Sequence, residues 1–260
     1  MKPAHTLQSV TSASPGFTAT LISWVGLAMV VFLAIWLQHP PAPVPASAAA
    51  TEFSAERAIQ HVKAIARAPR PIGSANHAAA RDYILQQLSA FGLEPELQKT
   101  TVISSSPASP FVAGTIENIV ARKKGTGDLP AVLLVAHYDS VATGPGANDD
   151  GVGVATLLET ARALTASRPL ENDVLFLFSD AEETGLLGAR AFLAEHRWAR
   201  AFKVALNFEA RGNGGPVIMF ETGPGNGALI RGLAKAAAYP LANSLSDEIY
   251  KRLPNSTDLT

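Results

Sequence analysis

Two short apolar runs, each ending in a cluster of acids, constrain this chain more than any other feature. Within 132–183 the sequence reads V-L-L-V-A-H-Y-D-S, then G-P-G-A-N-D-D-G-V-G-V-A, then V-L-F-L-F-S-D-A-E-E. Runs this short and this rich in Val, Leu and Phe read as strands buried on both faces. Between them Val154, Leu157, Leu158 and Ala161 recur at helical spacing, so the stretch predicts strand, helix, strand. Open α/β sheets carry their sites beyond the carboxyl ends of such strands. His137 and Asp139 follow the first run, Asp149 and Asp150 lie in a Gly-rich loop, and Glu182 and Glu183 follow the second. A metal-dependent hydrolytic site is the first expectation.

The rest of the chain narrows this reading. Cysteine is absent, which excludes disulfides and thiolate ligands, so a metal here must be held by His, Asp and Glu. A net charge of −1 gives no electrostatic reason to expect a nucleic-acid partner. Residues 17–37 carry no charge, and at about 1.5 Å per residue they would cross a hydrocarbon core of about 30 Å. The expectation is a transmembrane signal-anchor at 17–38, with a cleaved signal peptide as the alternative. Lys2 and the α-amino group would stay in the cytoplasm with residues 1–16, and all that follows would lie on the non-cytoplasmic side. Pro40, Pro41, Pro43 and Pro45 predict a stiff extended linker over 39–51.

The folded domain is expected over 52–260. Ser54 should cap a helix with Ile59, Val62 and Ile65 on its apolar face, and Ser74 a second helix ending before Gly92. Strands are expected at 96–104, 117–122, 131–136, 173–178 and 204–208, with one more possible at 216–220. Residues 123–128 read as a hairpin-like turn. Helices are expected at 186–196 and 227–238, and no final helix or strand is legible before Thr260. The pattern predicts an α/β, three-layer fold with a mixed, mostly parallel sheet flanked by helices.

Each candidate residue has a plainer reading beside the chemical one. His137 and Asp139 at a strand end could be metal ligand and orienting acid, or an isolated structural His. Asp149 or Asp150 could ligate metal, while one of them could simply cap the next helix. Glu183 could bind metal while Glu182 takes a proton from water, or both could favour a helix dipole. Glu209 ends a further apolar strand, and alone it reads as an ordinary acid. Arg211 and Asn213 follow in a Gly-rich loop that reads as a turn, with substrate contact as the alternative.

Taken as an ordered set these motifs resemble a known family. They are P-R-P-I-G-S at 69–74, H-Y-D-S at 137–140, G-A-N-D-D-G-V-G at 146–153, S-D-A-E-E-T-G-L-L-G-A-R at 179–190, L-N-F-E-A-R-G-N-G-G at 206–215 and F-E-T-G-P at 220–224. The set is similar to the co-catalytic zinc exopeptidases of metallopeptidase family twenty-eight, within it the membrane-anchored endoplasmic reticulum metallopeptidase branch. The resemblance implies two zinc ions bridged by Asp149, one completed by His137 and Glu209, the other served by Glu183. It implies Glu182 as general base and Asp139 as the acid orienting His137. Many members have Asp where Glu209 stands. The family pattern also includes a second zinc-binding His in an H-T-x-x-D-like segment, and no His follows His196 in this chain. The expectation is therefore a chain that continues past Thr260, with one zinc site complete here and the other short by a ligand.

The function this implies is a membrane-anchored zinc aminopeptidase acting on peptides. A non-catalytic ectodomain keeping the fold for binding is one rival. A glutaminyl cyclase-like acyl transferase, which uses one zinc, is another.

Overall fold

The computed structural model describes residues 16–37, 39, 41–104, 111–210, 212, 214–253 and 256–259. The expected cytoplasmic N-terminus, apart from Gly16, lies outside the described residues, as do Arg211 and Asn213. The chain divides into two compact units, residues 42–214 with 244–260, and residues 1–41 with 215–243.

The larger unit is built on a five-stranded sheet of β1 (Glu96–Ser104), β2 (Val112–Lys123), β3 (Ala131–His137), β4 (Val174–Ser179) and β5 (Phe202–Asn207), in the order β1-β2-β4-β3-β5. β3 pairs in parallel with β4 and β5, while β2 runs antiparallel to both its neighbours. The sheet is mixed, as expected, and β2 alone opposes the common direction. The 123–128 turn is not a hairpin, because β2 pairs with β4 and β3 lies one strand further in. Composition explains the order. β3 and β4 are buried along almost their whole length and need a partner on each edge, whereas β1 alternates half-buried and exposed residues and lies at the margin.

The period-2 alternation sorts the core into two faces. Ile119, Ala121, Leu134, Ala136, Phe176 and Phe178 pack with Ile84 and Leu88 of α3 (Ala75–Ala90) and Leu157, Leu158 and Ala161 of α4 (Gly151–Ala166). Val120, Leu133, Val135, Leu175 and Leu177 face Phe192 of α5 (Leu187–Glu195). Helices therefore cover both faces, which makes the three layers. Each such Leu or Phe contributes about 1.5–3 kcal/mol by leaving water.

Local signals set the helix ends. The Ser54 hydroxyl accepts the Arg57 N–H at 3.2 Å and starts α2 (Ala55–Ile65). The Ser74 hydroxyl accepts the His77 N–H at 3.1 Å and starts α3, which ends just before Gly92 at φ +81°. Ile59 is not on the buried face of α2, which consists of Ala58, His61, Val62 and Ile65. A polar-looking His61 holds that place through a 2.7 Å contact of its Nδ1 with the Tyr83 hydroxyl.

The linker is only in part an extended spacer. The Ser54 hydroxyl lies 2.9 Å from the carbonyls of both Val44 and Pro45, and Arg57 donates to the carbonyls of Ala46, Ala48 and Glu52. Arg162 donates to Ala50 and Glu52, and buried Glu159 accepts from Arg57, Arg162 and the Ser54 N–H. Residues 44–52 are thus strapped across α2 and α4.

In the smaller unit, residues 216–220 form no strand; Met219 makes a single bridge to Ala242. α6 spans Gly227–Ala236. α1 (Phe17–Trp36), with a mean hydropathy of 2.2, is long and apolar enough to cross a membrane by length and composition. A short helix, α7 (Ser244–Tyr250), belongs to the larger unit and was not legible in the sequence, being too short for its periodicity to register.

Candidate metal centre

The carboxyl ends of β3, β4 and β5 lie side by side. His137 aligns with Ser179, Val135 aligns with Asn207, and the Phe208 N–H donates to the Val135 carbonyl at 2.9 Å. Glu209 therefore emerges beside the end of β3. The loop from 138 returns to the start of α4, where the buried Asp150 carboxylate accepts the Gly153 N–H at 3.0 Å and the His137 N–H at 3.2 Å. Asp150 is the capping acid, which leaves Asp149 to face the imidazole. His137 Nε2 lies 3.0 Å from Asp149 Oδ1 and 3.8 Å from Glu209 Oε1.

On the other side of the ring, His137 Nδ1 is 3.3 Å from Asp139 Oδ1. The buried Asp139 carboxylate also accepts the N–H groups of Glu182 and Glu183, at 3.1 and 3.2 Å. The turn that presents those amides passes through buried Ala181 at φ +55°, a left-handed conformation that costs a residue with a Cβ about 1–2 kcal/mol. Neighbouring contacts hold the turn. Asp180 accepts the Glu117 N–H at 2.7 Å and lies 2.7 Å from His77 Nε2, and its own N–H donates to Asn118 Oδ1 at 2.9 Å.

The donor set fits a divalent cation. One atom each from His137, Asp149 and Glu209 lies within 4.8 Å of the others. Two ligand atoms about 2.0–2.1 Å from a tetrahedral zinc are about 3.3 Å apart, and the observed 3.0 and 3.8 Å bracket that value. Charge points the same way. Burial pulls the His137 imidazole down, but Asp139, Asp149 and Glu209 outweigh it and hold its proton well above the ordinary histidine range. Burial pushes Asp150 well above the carboxylate range, and it pushes Glu182 up to about 8, with Asp258, Glu209 and Asp139 adding to it against the pull of His137. Glu183 is raised by burial and by Asp149. So many carboxylates around one imidazole form a site short of positive charge.

The structure thus brings His137, Asp139, Asp149 and Glu209 together. Glu183 is outside the three-atom cluster but close enough to Asp149 to feel its charge, and Glu182 stands half-buried beside them. His196 is elsewhere, at the C-terminus of α5, paired with Glu96 at 2.7 Å. Sequence reasoning missed two residues. Arg70 is completely buried beneath the 138–150 loop, with Ser140 accepting its backbone N–H at 2.9 Å. Asp258 accepts the Ser179 hydroxyl beside the strand ends and is raised to about 6 by burial. Only the P-R-P-I-G-S motif offered a signal, for Arg70; a single acid in a polar segment offers none.

Comparison with known proteins identifies the family and the fold. The chain is 35% identical over 226 residues to endoplasmic reticulum metallopeptidase 1 of Rattus norvegicus, an alignment covering 80% of this chain and 25% of that protein. The chain therefore spans about a quarter of the length of this curated relative. Glutaminyl cyclase of Porphyromonas gingivalis shares the fold with a TM-score of 0.61 at 24% identity, over 80% of this chain and 78% of that one. A zinc aminopeptidase from Bacillus subtilis shares it with a TM-score of 0.54 at 18% identity, over 62% and 70%. Residues 118–260, which contain every one of the predicted site residues, match the model of peptidase family M28, and the chain belongs to that family.

Proposed function

We propose that this chain is the catalytic portion of a zinc aminopeptidase that removes N-terminal residues from peptides, held at a membrane by α1 with the peptidase domain on the non-cytoplasmic side. The observation that carries the reading is the convergence of His137 Nε2, Asp149 and Glu209 at the ends of parallel strands, with Glu182 on the adjoining turn. His137, Asp149 and Glu209 would hold one zinc ion, and Asp149 with Glu183 would contribute to a second. Such an ion pair supplies Lewis acidity for the scissile carbonyl, an acidified water and a seat for the substrate's free amino group.

The protein's own residues do the rest. Asp139 fixes the tautomer and orientation of His137 through Nδ1 and, by accepting two amides of the 182–183 turn, ties the base to the ligand. Glu182 would act as its carboxylate, the form that positive charge in the site favours against the burial that otherwise raises it: it would take a proton from the attacking water, pass it to the leaving amine and return to the carboxylate. The half-buried position of this carboxylate limits competing water.

The test is zinc content and hydrolysis of aminoacyl-arylamides by the full-length protein. Glu182→Gln should lower kcat about 10²–10⁴-fold with zinc retained. Unchanged activity would remove Glu182 from the mechanism. One observation favours the second reading, acyl transfer of the glutaminyl cyclase kind: among the described residues only one three-residue ligand cluster forms. One zinc per chain and cyclisation of an N-terminal glutamine would support it; two zinc ions and release of free amino acids support the aminopeptidase.

A further inference from the structure

Eleven residues separate the two ligands His137 and Asp149, and the loop between them has no regular structure of its own apart from short turns. One buried side chain gathers it. The Arg70 Nε–H donates to the Tyr138 carbonyl at 2.6 Å, one Nη–H donates to the Pro145 carbonyl, and the other donates to the Gly146 carbonyl at 2.9 Å. The backbone of the same residue closes on Ser140 in both directions, N–H to hydroxyl at 2.9 Å and carbonyl to N–H at 3.3 Å. The Gly146 carbonyl in turn accepts the Gly151 N–H at 3.0 Å, the first residue of α4. A Cβ on Gly146, at φ +58°, would fall 2.4 Å from the Asp149 carbonyl and 3.0 Å from the guanidinium, so the loop is fitted closely around the arginine.

We infer that Arg70 is a positioning residue for the metal centre, stapling both ends of the 138–146 loop so that His137 and Asp149 are held in ligand geometry before any ion binds. The inference rests on the metal-centre reading above. The guanidinium's hydrogen bonds go to carbonyls, so its charge is not consumed by a single carboxylate. It is shared through space among Asp139, Asp150, Asp149 and Glu183. Lysine could not replace it, because one ammonium cannot reach three carbonyls set by a planar fork. A ligand loop ordered in advance saves metal binding the cost of ordering it.

The test compares the full-length wild type with Arg70→Lys and Arg70→Gln, each in detergent. Zinc affinity is read by competition with a chromophoric chelator, and amide hydrogen exchange is read on the metal-free proteins. The fork predicts at least 10-fold weaker zinc binding in Arg70→Lys, although the charge is kept. It also predicts faster exchange at the Ser140 and Gly151 amides while β4 keeps its protection. Wild-type zinc affinity in a folded Arg70→Lys protein, or an equal loss of protection throughout the sheet, would overturn it. Ser140→Ala, which removes one acceptor and leaves the fork, covers the case in which neither Arg70 variant folds; it should shift both readouts in the same direction by less, and no shift would overturn the inference. A wild type that binds no zinc would instead remove the metal-centre reading, and the metal-free exchange comparison would still decide whether Arg70 orders the loop.

Discussion

At Asp139 one buried carboxylate meets His137 Nδ1 and the backbone amides of Glu182 and Glu183, so the orientation of the imidazole and the position of the 182–183 turn are not independent. Asp139→Asn should therefore weaken zinc binding about 10–100-fold. It should also cost about 1–3 kcal/mol of stability, since an amide turned to accept one group misplaces donors against the others. Zinc competition and denaturant unfolding measure the two effects; an effect on stability alone would confine Asp139 to a structural role. A second residue sets a pH dependence. Burial depresses His61 more than Glu159 raises it, so the unfolded chain binds this proton more readily than the folded one. As pH falls through about 6.5 the folded state loses stability relative to a chain without that imidazole. His137, raised in the folded state, contributes with the opposite sign, so the comparison must be made against His61→Asn in metal-free protein. The stability gap between wild type and variant should narrow from pH 7.5 to pH 5.5, and a constant gap would contradict the assignment. The proposed ligands were visible in the sequence as a His and acids after apolar runs in a Cys-free chain, but Glu209 alone read as an ordinary acid and the set was assembled only by the family resemblance. Arg70 was not, since burial of a charged side chain depends on loop carbonyls that only the fold collects.

Among the elements, the strap over α2 and α4 departs most from its sequence signal. Prolines predicted a free, stiff spacer, yet the carbonyls of 44–52 face Arg57 and Arg162, which share buried Glu159. Burial works against the Glu159 charge, but Arg162, the Ser54 amide and Arg57 outweigh it and hold the group below the ordinary glutamate value. Its stabilisation is present above pH 4.5 and is lost as pH falls through that lower folded value. Glu159→Gln should cost about 1–3 kcal/mol, less than a fully buried pair because both arginines are partly exposed. It should also speed proteolytic cleavage within 44–52; an unchanged cleavage rate would mean that the strap is held elsewhere. Strands and helices with strong apolar periods were legible almost to the residue, as in α4, where Val154, Leu157, Leu158 and Ala161 are all buried. Their neighbours were not. The hairpin expected after β2 failed because pairing depends on which strands need burial on both faces, and a local turn signal carries no such information.

On the scale of the whole molecule, the sheet order does the assembling. β3 between β4 and β5, all parallel, brings three strand ends from distant parts of the sequence to one edge. His137, Asp139, the 182–183 turn and Glu209 each occupy one of those ends, and α4 brings Asp149 to them by its N-terminus. The fold is shared with a zinc aminopeptidase at low identity, and the model of family M28 matches residues 118–260. The account stands on the claim that these side chains surround a metal. Diffraction from zinc-loaded crystals of the full-length protein, recorded on either side of the zinc absorption edge, tests it directly. An anomalous peak in contact with His137 Nε2, Asp149 and Glu209 is the predicted result, and zinc-loaded protein with its anomalous density elsewhere would contradict the account.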